Sequence, residues 1–299
     1  MPHPRIALVS ATAARGLDDD MAPLLDAFAA AGADAAAVAW DDDRVEWPRH
    51  DMAILRSTWN YVQRLPDFLA FVDRAAARTR LFNPPEVVRW NVDKHYLADL
   101  ARAGIATVPG AFIEPGDDAG SKLDAFLGRH ATARDFVVKP AVGAGSRDAM
   151  RHPRAARDAI VAHIRRLQSA QRSVLVQPYL DSVDSDGETA LLFFDGAFSH
   201  AIRKGPLLKA GAGSTRALFA PEHITPREPA ADELALAATV LDAIPFPGPL
   251  LYARVDLIRA GDGTPRLLEL ELVEPSVFVP FADGAAARFV HAALARASG

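Results

Sequence analysis

Apolar positions in the first third of the chain gather into short dense runs separated by helical periodicity. Residues 5–10, RIALVS, suit a buried strand, and the runs at 34–40 and 52–56 predict two more. Helical patterns cover 18–31 and 65–78. The first is opened by three aspartates and closed at Gly32, as the helix dipole and C-cap favour. The alternation predicts a small parallel sheet, with any ligand beyond the carboxyl ends of its strands. Arg56 stands at one such end, opening the cluster Arg-Ser-Thr-Trp-Asn-Tyr.

Asn83-Pro84-Pro85 interrupts the pattern and marks a candidate boundary. Beyond it the sequence predicts helices at 93–103 and 123–130, strands at 111–114, 136–139 and 173–177, and a helix from Pro153 to about 169. The last third reads differently. Residues 188–194 and 198–204 flank Asp195-Gly196, a strong hairpin signal. A helix at 230–243, strands at 250–258 and 266–273, and a closing helix at 283–297 follow. The expected fold class is therefore α/β, turning α+β in the C-terminal part. The expected organisation is 1–90, 91–177 and 178–299.

Composition narrows the function classes. The chain has 299 residues, half of them hydrophobic, with a net charge of −5 and no lysine/arginine block, so nucleic acid is not an expected partner. No apolar stretch reaches membrane-spanning length, and the first apolar run is too short for a signal-peptide core. With no cysteine there is no disulfide framework, thiolate metal site or cysteine nucleophile, which fits a cytoplasmic protein. A homo-oligomer is compatible with the sequence.

Three segments carry candidate chemistry. Lys139 ends an apolar strand ahead of Gly143-Ala-Gly145-Ser146. Glycines let a loop backbone approach phosphate, although a plain surface turn fits the same residues. Arg254-Val-Asp256 and Glu269-Leu-Glu271 each place two charged residues on one strand face. If the strands pair across the turn at 260–265, three carboxylates can converge, and oxygen-only ligands favour magnesium or manganese. The alternative is a solvated strand face. Gln177-Pro-Tyr179-Leu180 leaves an apolar strand and suits a planar base, or simply a core-strand exit; Glu188 suits ribose hydroxyls or a surface edge. Arg203, Lys204 and Lys209 are candidate phosphate partners or a solvated face, and His200 reads as structural.

The order of these pieces, with Lys94 in Asn-Val-Asp-Lys placed before them, resembles the ATP-grasp superfamily over nearly the whole chain. The resemblance implies an ATP-grasp fold behind an N-terminal parallel α/β domain. It implies ATP and two magnesium ions, with manganese an alternative. Lys94, Lys139 and the Gly143/Gly145/Ser146 loop would hold phosphates, joined by Lys204. The Gln177, Tyr179 and Leu180 segment would hold adenine, and Glu188 ribose. Asp256, Glu269 and Glu271 would hold the metal, and Arg254 and Lys139 would be the catalytic cations. Two departures are visible: Glu271 stands where the family usually has Asn, and Gln177 where many members have Glu.

Arg56-Ser-Thr-Trp-Asn-Tyr, Phe82-Asn-Pro-Pro, Trp90-Asn-Val-Asp-Lys and Glu274-Pro-Ser-Val-Phe are similar to the cycloserine-biosynthesis branch. That branch implies a small amino-acid-like substrate, O-ureido-D-serine, closed on itself through an acyl phosphate to D-cycloserine. ADP, phosphate, carbon dioxide and ammonia would leave. Arg56 would pair with a substrate carboxylate or act as a structural ion-pair partner. Glu274 would meet an ammonium, Ser276 a carboxylate, and Trp59 would pack. Two other readings stand beside this one: an intermolecular ligase of the same fold, and a nucleotide-binding regulator without catalysis.

Overall fold

The computed structural model describes residues 3–208 and 223–297. It contains three sheets. The first is parallel, in the order β2 (Asp34–Ala39), β1 (Arg5–Ser10), β3 (Met52–Leu55), β4 (Arg80–Phe82). Helices α1 (Met21–Ala30) and α2 (Leu65–Ala76) bury Leu24 and Phe28, and Phe68, Phe71 and Val72, against it. Two short helices follow, α3 (Pro85–Asn91) and α4 (Tyr96–Arg102).

The second sheet is antiparallel. Its strands are β5 (Ala111–Ile113), β6 (Asp135–Pro140), β7 (Met150–Pro153) and β8 (Val174–Pro178), in the order β5-β8-β6-β7. Helices α5 (Ala119–Arg129) and α6 (Arg157–Ser169) share one apolar core with it. After α7 (Ser182–Asp186) come β9 (Glu188–Phe194), β10 (Ala197–Lys204), β11 (Ile224–Arg227), α8 (Ala231–Asp242), β12 (Tyr252–Arg259), β13 (Pro265–Glu271) and α9 (Ala285–Ala297). These strands make the third sheet, β11-β10-β9-β12-β13, antiparallel throughout. The β9–β10 turn is the expected hairpin: Asp195 and Gly196 both take positive φ, 51° and 79°, the backbone of a type I′ turn.

Several elements differ from the sequence pattern. The first helix begins at Met21, because the Asp20 carboxylate accepts backbone N–H groups of 277–279 rather than capping its own helix. The helix expected over 93–103 starts at Tyr96, since the Asp93 side chain accepts the His95 N–H and turns the chain. Residues 150–153 form β7 paired to β6 instead of opening a helix, and α6 begins at Arg157. Strands β4, β7 and β11, each three or four residues long, carry too little periodicity to be seen in sequence.

The Asn83-Pro84-Pro85 break falls between β4 and α3, yet Asn83 is fully buried. Its amide donates to the carbonyls of Tyr252 (2.9 Å) and Leu272 (2.7 Å) and accepts from Leu251 N–H (3.0 Å). One side chain thus ties the end of the first sheet to β12 and to the exit of β13. The last helix closes the same contact: Phe289 of α9 packs with Phe28 and with Tyr252.

His200 on β10 is buried, its Nε2 2.9 Å from the Val277 carbonyl and its Nδ1 2.9 Å from the Ser199 hydroxyl. Burial, helped by Arg288, pushes its pKa down to about 4. The unfolded chain therefore takes up a proton near the ordinary value of about 6.5 that the folded state refuses, so stability is full above that pH and falls toward pH 4. Acidification from pH 7 to 4.5 should cost wild type roughly 2–3 kcal/mol more than His200→Asn, read as urea midpoints at both pH values. Equal losses in the two proteins would show that His200 is not a source of the acid sensitivity.

Candidate functional site

The site is built on the pairing of β12 with β13. Arg254 lies opposite Glu271 and Asp256 opposite Glu269, with a register shift immediately after. All four side chains therefore share one face, as the i, i+2 spacing required. On the other side of β12, β9 and β10 bring Glu188 opposite Lys204. Such a face buries like charges, which is tolerable only with opposite charges interleaved.

That interleaving is what the structure has. The Asp256 carboxylate, 1% exposed, accepts from Lys204 Nζ at 2.6 Å and from Arg254 Nε at 2.8 Å. Lys204 also pairs with Glu188 at 2.9 Å. Lys94 reaches Glu269 at 2.8 Å, Lys139 stands 3.8 Å from the same carboxylate, and Arg254 also pairs with Glu271. Burial raises the Asp256 and Glu269 carboxyls, but the neighbouring cations win, and Glu269 falls to about 2. At Glu271 the balance reverses: burial, with Asp256 and Glu269 close by, outweighs Arg254 and pushes its carboxyl up to about 7. Lys139 is lowered by burial and by Lys94 and Lys204, whereas at Lys94 burial is outweighed by Glu269 and the pKa is raised.

Above this face lies a cleft of about 540 Å³. Most residues expected at the site line it; Asp256, which sits one layer behind, Arg56 and Arg203 do not. The glycine loop covers one wall. Lys94 Nζ donates to Gly143 O (2.8 Å) and Lys94 N–H to Ala141 O (3.0 Å), so the loop root is tied to the start of α4. Gly145 and Ser146 take positive φ, 60° and 58°, a turn that glycine adopts at no steric cost. Farther along, Gln177 amide donates to Val108 O (3.4 Å), and the Tyr179 ring is held between Arg151, 3.6 Å from its centroid, and Asp184.

Other expectations are corrected. Arg56 does not face the cleft. It is buried, donates to Pro275 O at 2.5 Å, stands 3.9 Å from Asp20 and lies against the Tyr252 and Phe289 rings, so the geometry is that of the structural ion pair. Arg203 is taken up by the carbonyls of Ser185 and Asp186 and does not line the cleft. Among the described residues no three acidic or histidine side chains gather as a ready metal cage: Arg254 pairs with both Asp256 and Glu271, and Lys94 meets Glu269. Lys209 lies outside the described residues.

Some residues were not legible from sequence. Asn91 brackets β13, its amide donating to Leu270 O (2.8 Å) and accepting from Leu272 N–H (2.7 Å), while Tyr96 hydroxyl accepts from Leu270 N–H (3.0 Å). Only the resemblance of the Trp90–Lys94 motif touched Asn91. Tyr61 and Trp59 both reach Glu274: the Tyr61 hydroxyl donates to its carboxylate and Trp59 Nε1 to its carbonyl, at 3.2 Å.

A parallel α/β sheet, a glycine-looped antiparallel sheet and an acid-and-base-lined antiparallel sheet around one cleft define an ATP-grasp protein. Residues 6–83 match the family model of the N-terminal domain of D-cycloserine synthetase DcsG. Over 295 residues the chain is 40% identical to the cycloserine biosynthesis protein DcsG of Streptomyces lavendulae, covering 97% of this chain and 98% of that protein. The crystal structure of D-cycloserine synthetase DcsG superposes with a TM-score of 0.92 at 39% identity, covering 98% of this chain and 99% of that one. D-alanine–D-alanine ligase from Bacillus anthracis shares the fold, with a TM-score of 0.65 at 14% identity over 99% and 97% of the two chains. The chain belongs to the DcsG family of cycloserine biosynthesis and is an enzyme of that synthetase class. Among the described residues no helix is long and apolar enough to cross a membrane.

The loop at 275–279 contributes Ser276 and Phe278 to the cleft lining and hangs on Asp20. That carboxylate, 2% exposed, accepts the N–H groups of Val277 (2.6 Å), Phe278 (3.1 Å) and Val279 (2.8 Å). Removing it leaves three backbone donors without their acceptor. Asp20→Ala should lose roughly 2–4 kcal/mol in urea unfolding, with amide exchange accelerated first at 277–279. Unchanged exchange there would show that the loop holds without Asp20.

Proposed function

We propose that the protein is an ATP-dependent ligase that cyclises O-ureido-D-serine to D-cycloserine. The observation that carries this reading is the single cleft lined by two lysines, a glycine loop, the carboxylates of Glu269 and Glu271, and Glu274 and Ser276. Lys94, Lys139 and the loop backbone at 143–146 are placed to bind and orient a triphosphate. Lys204 adds positive charge beside Glu188. Gln177, Tyr179 and Leu180 would take the adenine, and Glu188 the ribose. Asp256, Glu269 and Glu271 offer only carboxylate oxygens, the hard donor set that fits magnesium. Bound there, magnesium would neutralise charge on the phosphates.

The chemistry on this reading is acyl transfer through phosphate. The substrate carboxylate takes the terminal phosphoryl group of ATP, ADP leaves, and an acyl phosphate remains. Arg254 faces the charge that develops in both species. The ureido nitrogen of the same molecule then attacks the acyl carbon, phosphate leaves, and a five-membered ring closes. Water removes the carbamoyl group as carbon dioxide and ammonia. Ring closure within one bound molecule needs no second acceptor site and benefits from proximity. The glycine loop excludes water from the acyl phosphate.

The test is ADP release with magnesium-ATP and O-ureido-D-serine as the sole organic substrate, with the product identified by mass. Equimolar ADP and D-cycloserine are expected. ADP that appears only when a separate amine is added would replace cyclisation by an intermolecular ligation, and nucleotide binding without turnover would leave a regulator. Arg254→Lys keeps a cation beside Asp256 but loses the planar fork. It should lower kcat by about a hundredfold with the KM for ATP nearly unchanged. An equal fall confined to the ATP KM would assign Arg254 to ground-state binding instead.

A further inference from the structure

Four carboxylates on the third sheet, Glu188, Asp256, Glu269 and Glu271, each hold a lysine or arginine. Glu274 does not share this arrangement. It lines the same cleft, is only 9% exposed, and among the described residues stands in no ion pair with a lysine or arginine. Its nearest partners are neutral, and Lys94, beyond ion-pair distance, acts on it only through space. The Tyr61 hydroxyl faces its carboxylate, and Trp59 Nε1 fixes its backbone carbonyl at 3.2 Å. The Tyr61 ring is itself immobilised, stacked on Phe68 at 4.9 Å and 3% exposed.

A buried carboxylate with one hydroxyl donor and an open cleft in front of it is short of positive charge. Burial, then Glu271, outweighs Tyr61 and the more distant Lys94 and pushes its carboxyl up to about 8. A bound primary ammonium supplies that charge and its hydrogen bonds together. We infer that Glu274 is the α-ammonium subsite of the amino-acid substrate, and that Tyr61 is a positioning residue that aims its carboxylate. This rests on the cyclo-ligase reading and adds to it which substrate group is held and by what.

The chemistry of the reaction gives the subsite a purpose. The α-carbon carries the ammonium, the carboxylate and the side chain that must fold back on it. A fixed ammonium and a carboxylate facing Arg254 leave the side chain one side from which its nitrogen can approach the acyl carbon. The subsite therefore selects free α-amino acids, and an analogue with hydroxyl in place of ammonium leaves Glu274 buried and unpaired.

The test compares O-ureido-D-serine with its 2-hydroxy analogue in wild type, Glu274→Gln and Tyr61→Phe. Wild-type turnover of the amino substrate tests the cyclo-ligase reading by itself, and the amino-to-hydroxy ratio of kcat/KM across the three proteins tests the subsite. Wild type should prefer the amino substrate by about a hundredfold or more. Glu274→Gln should reduce that preference to within about threefold by raising the KM for the amino substrate alone, with the KM for ATP unchanged. Tyr61→Phe, which keeps the stacked ring, should raise that KM by about tenfold with kcat within about twofold. A preference that survives intact in Glu274→Gln would overturn the assignment. In Tyr61→Phe, losses shared equally by both substrates would reduce Tyr61 to a packing residue.

Discussion

The structure depends on one electrostatic constraint, the burial of carboxylates on the shared face of β12, β13 and β9. Asp256 is almost completely removed from water, and its partner across β13, Glu269, is also an acid. Such a face is stable only when each negative group meets a cation, since removing one partner from a buried pair costs several kcal/mol. Lys94 and Lys139 arrive from other parts of the chain to meet Glu269. Lys204 comes across from β10. The positions of α4, of the end of β6 and of the hairpin are thus bound to the same charge requirement. On the proposed reading the requirement also prepares the chemistry. A bound triphosphate would compete for Lys94 and Lys139, and Glu269 would then be available to hold a magnesium ion that neutralises phosphate charge.

Holding this face still is the work of amide and carboxylate side chains from the first third of the chain. Asn83 bridges β12 and the exit of β13, Asn91 brackets Leu270 and Leu272, and Asp20 gathers three consecutive N–H groups at 277–279. Each satisfies backbone groups that would otherwise be buried without partners, where the penalty is larger than the net gain of an ordinary hydrogen bond. The N-terminal sheet is therefore part of the site even though none of its strands carries a reacting group. Its loops decide where the last strand goes after Glu271 and how the opposite wall is presented.

Legibility from sequence followed the range of the interactions. The hairpin at Asp195-Gly196 was plain, because two residues requiring positive φ sit between alternating runs. The Arg254–Asp256 and Glu269–Glu271 faces were also legible, because strand periodicity fixes which residues share a side. What stayed hidden was set by contacts across long separations. Nothing local distinguishes Asp20 from Asp18 and Asp19 as helix-opening acids, yet only the distant loop at 277–279 makes it a buried acceptor. Arg56 was placed at a strand end by the rule for parallel sheets, and it is there, but its side chain turns inward to Pro275 and the aromatic rings. Convergence of three carboxylates was read from strand pairing, and their role as metal ligands from the family resemblance. Pairing was correct, and the lysines that separate the acids came from segments that pairing does not describe.

Where the rule for parallel sheets misplaced Arg56, it still located the functional loop. Strand β3 ends at Leu55, and the turn that follows delivers Trp59 and Tyr61 to the cleft. The loop after β1 likewise brings Asp18 and Asp19 to its rim. The carboxyl ends of the parallel strands thus supply the wall opposite the glycine loop, as open α/β sheets do with their ligands. The aromatic side chains of Trp59 and Tyr61 meet Glu274, in the loop that follows β13. The phosphate side of the cleft is lined by lysines already matched to acids, while this side keeps an acid matched only to neutral donors. On the proposed reading, that difference in charge partnering would polarise the cleft, with one part suited to anions and another to an ammonium. A zwitterionic amino acid has one orientation in such a field that places its carboxylate toward Arg254 and its amine away from it.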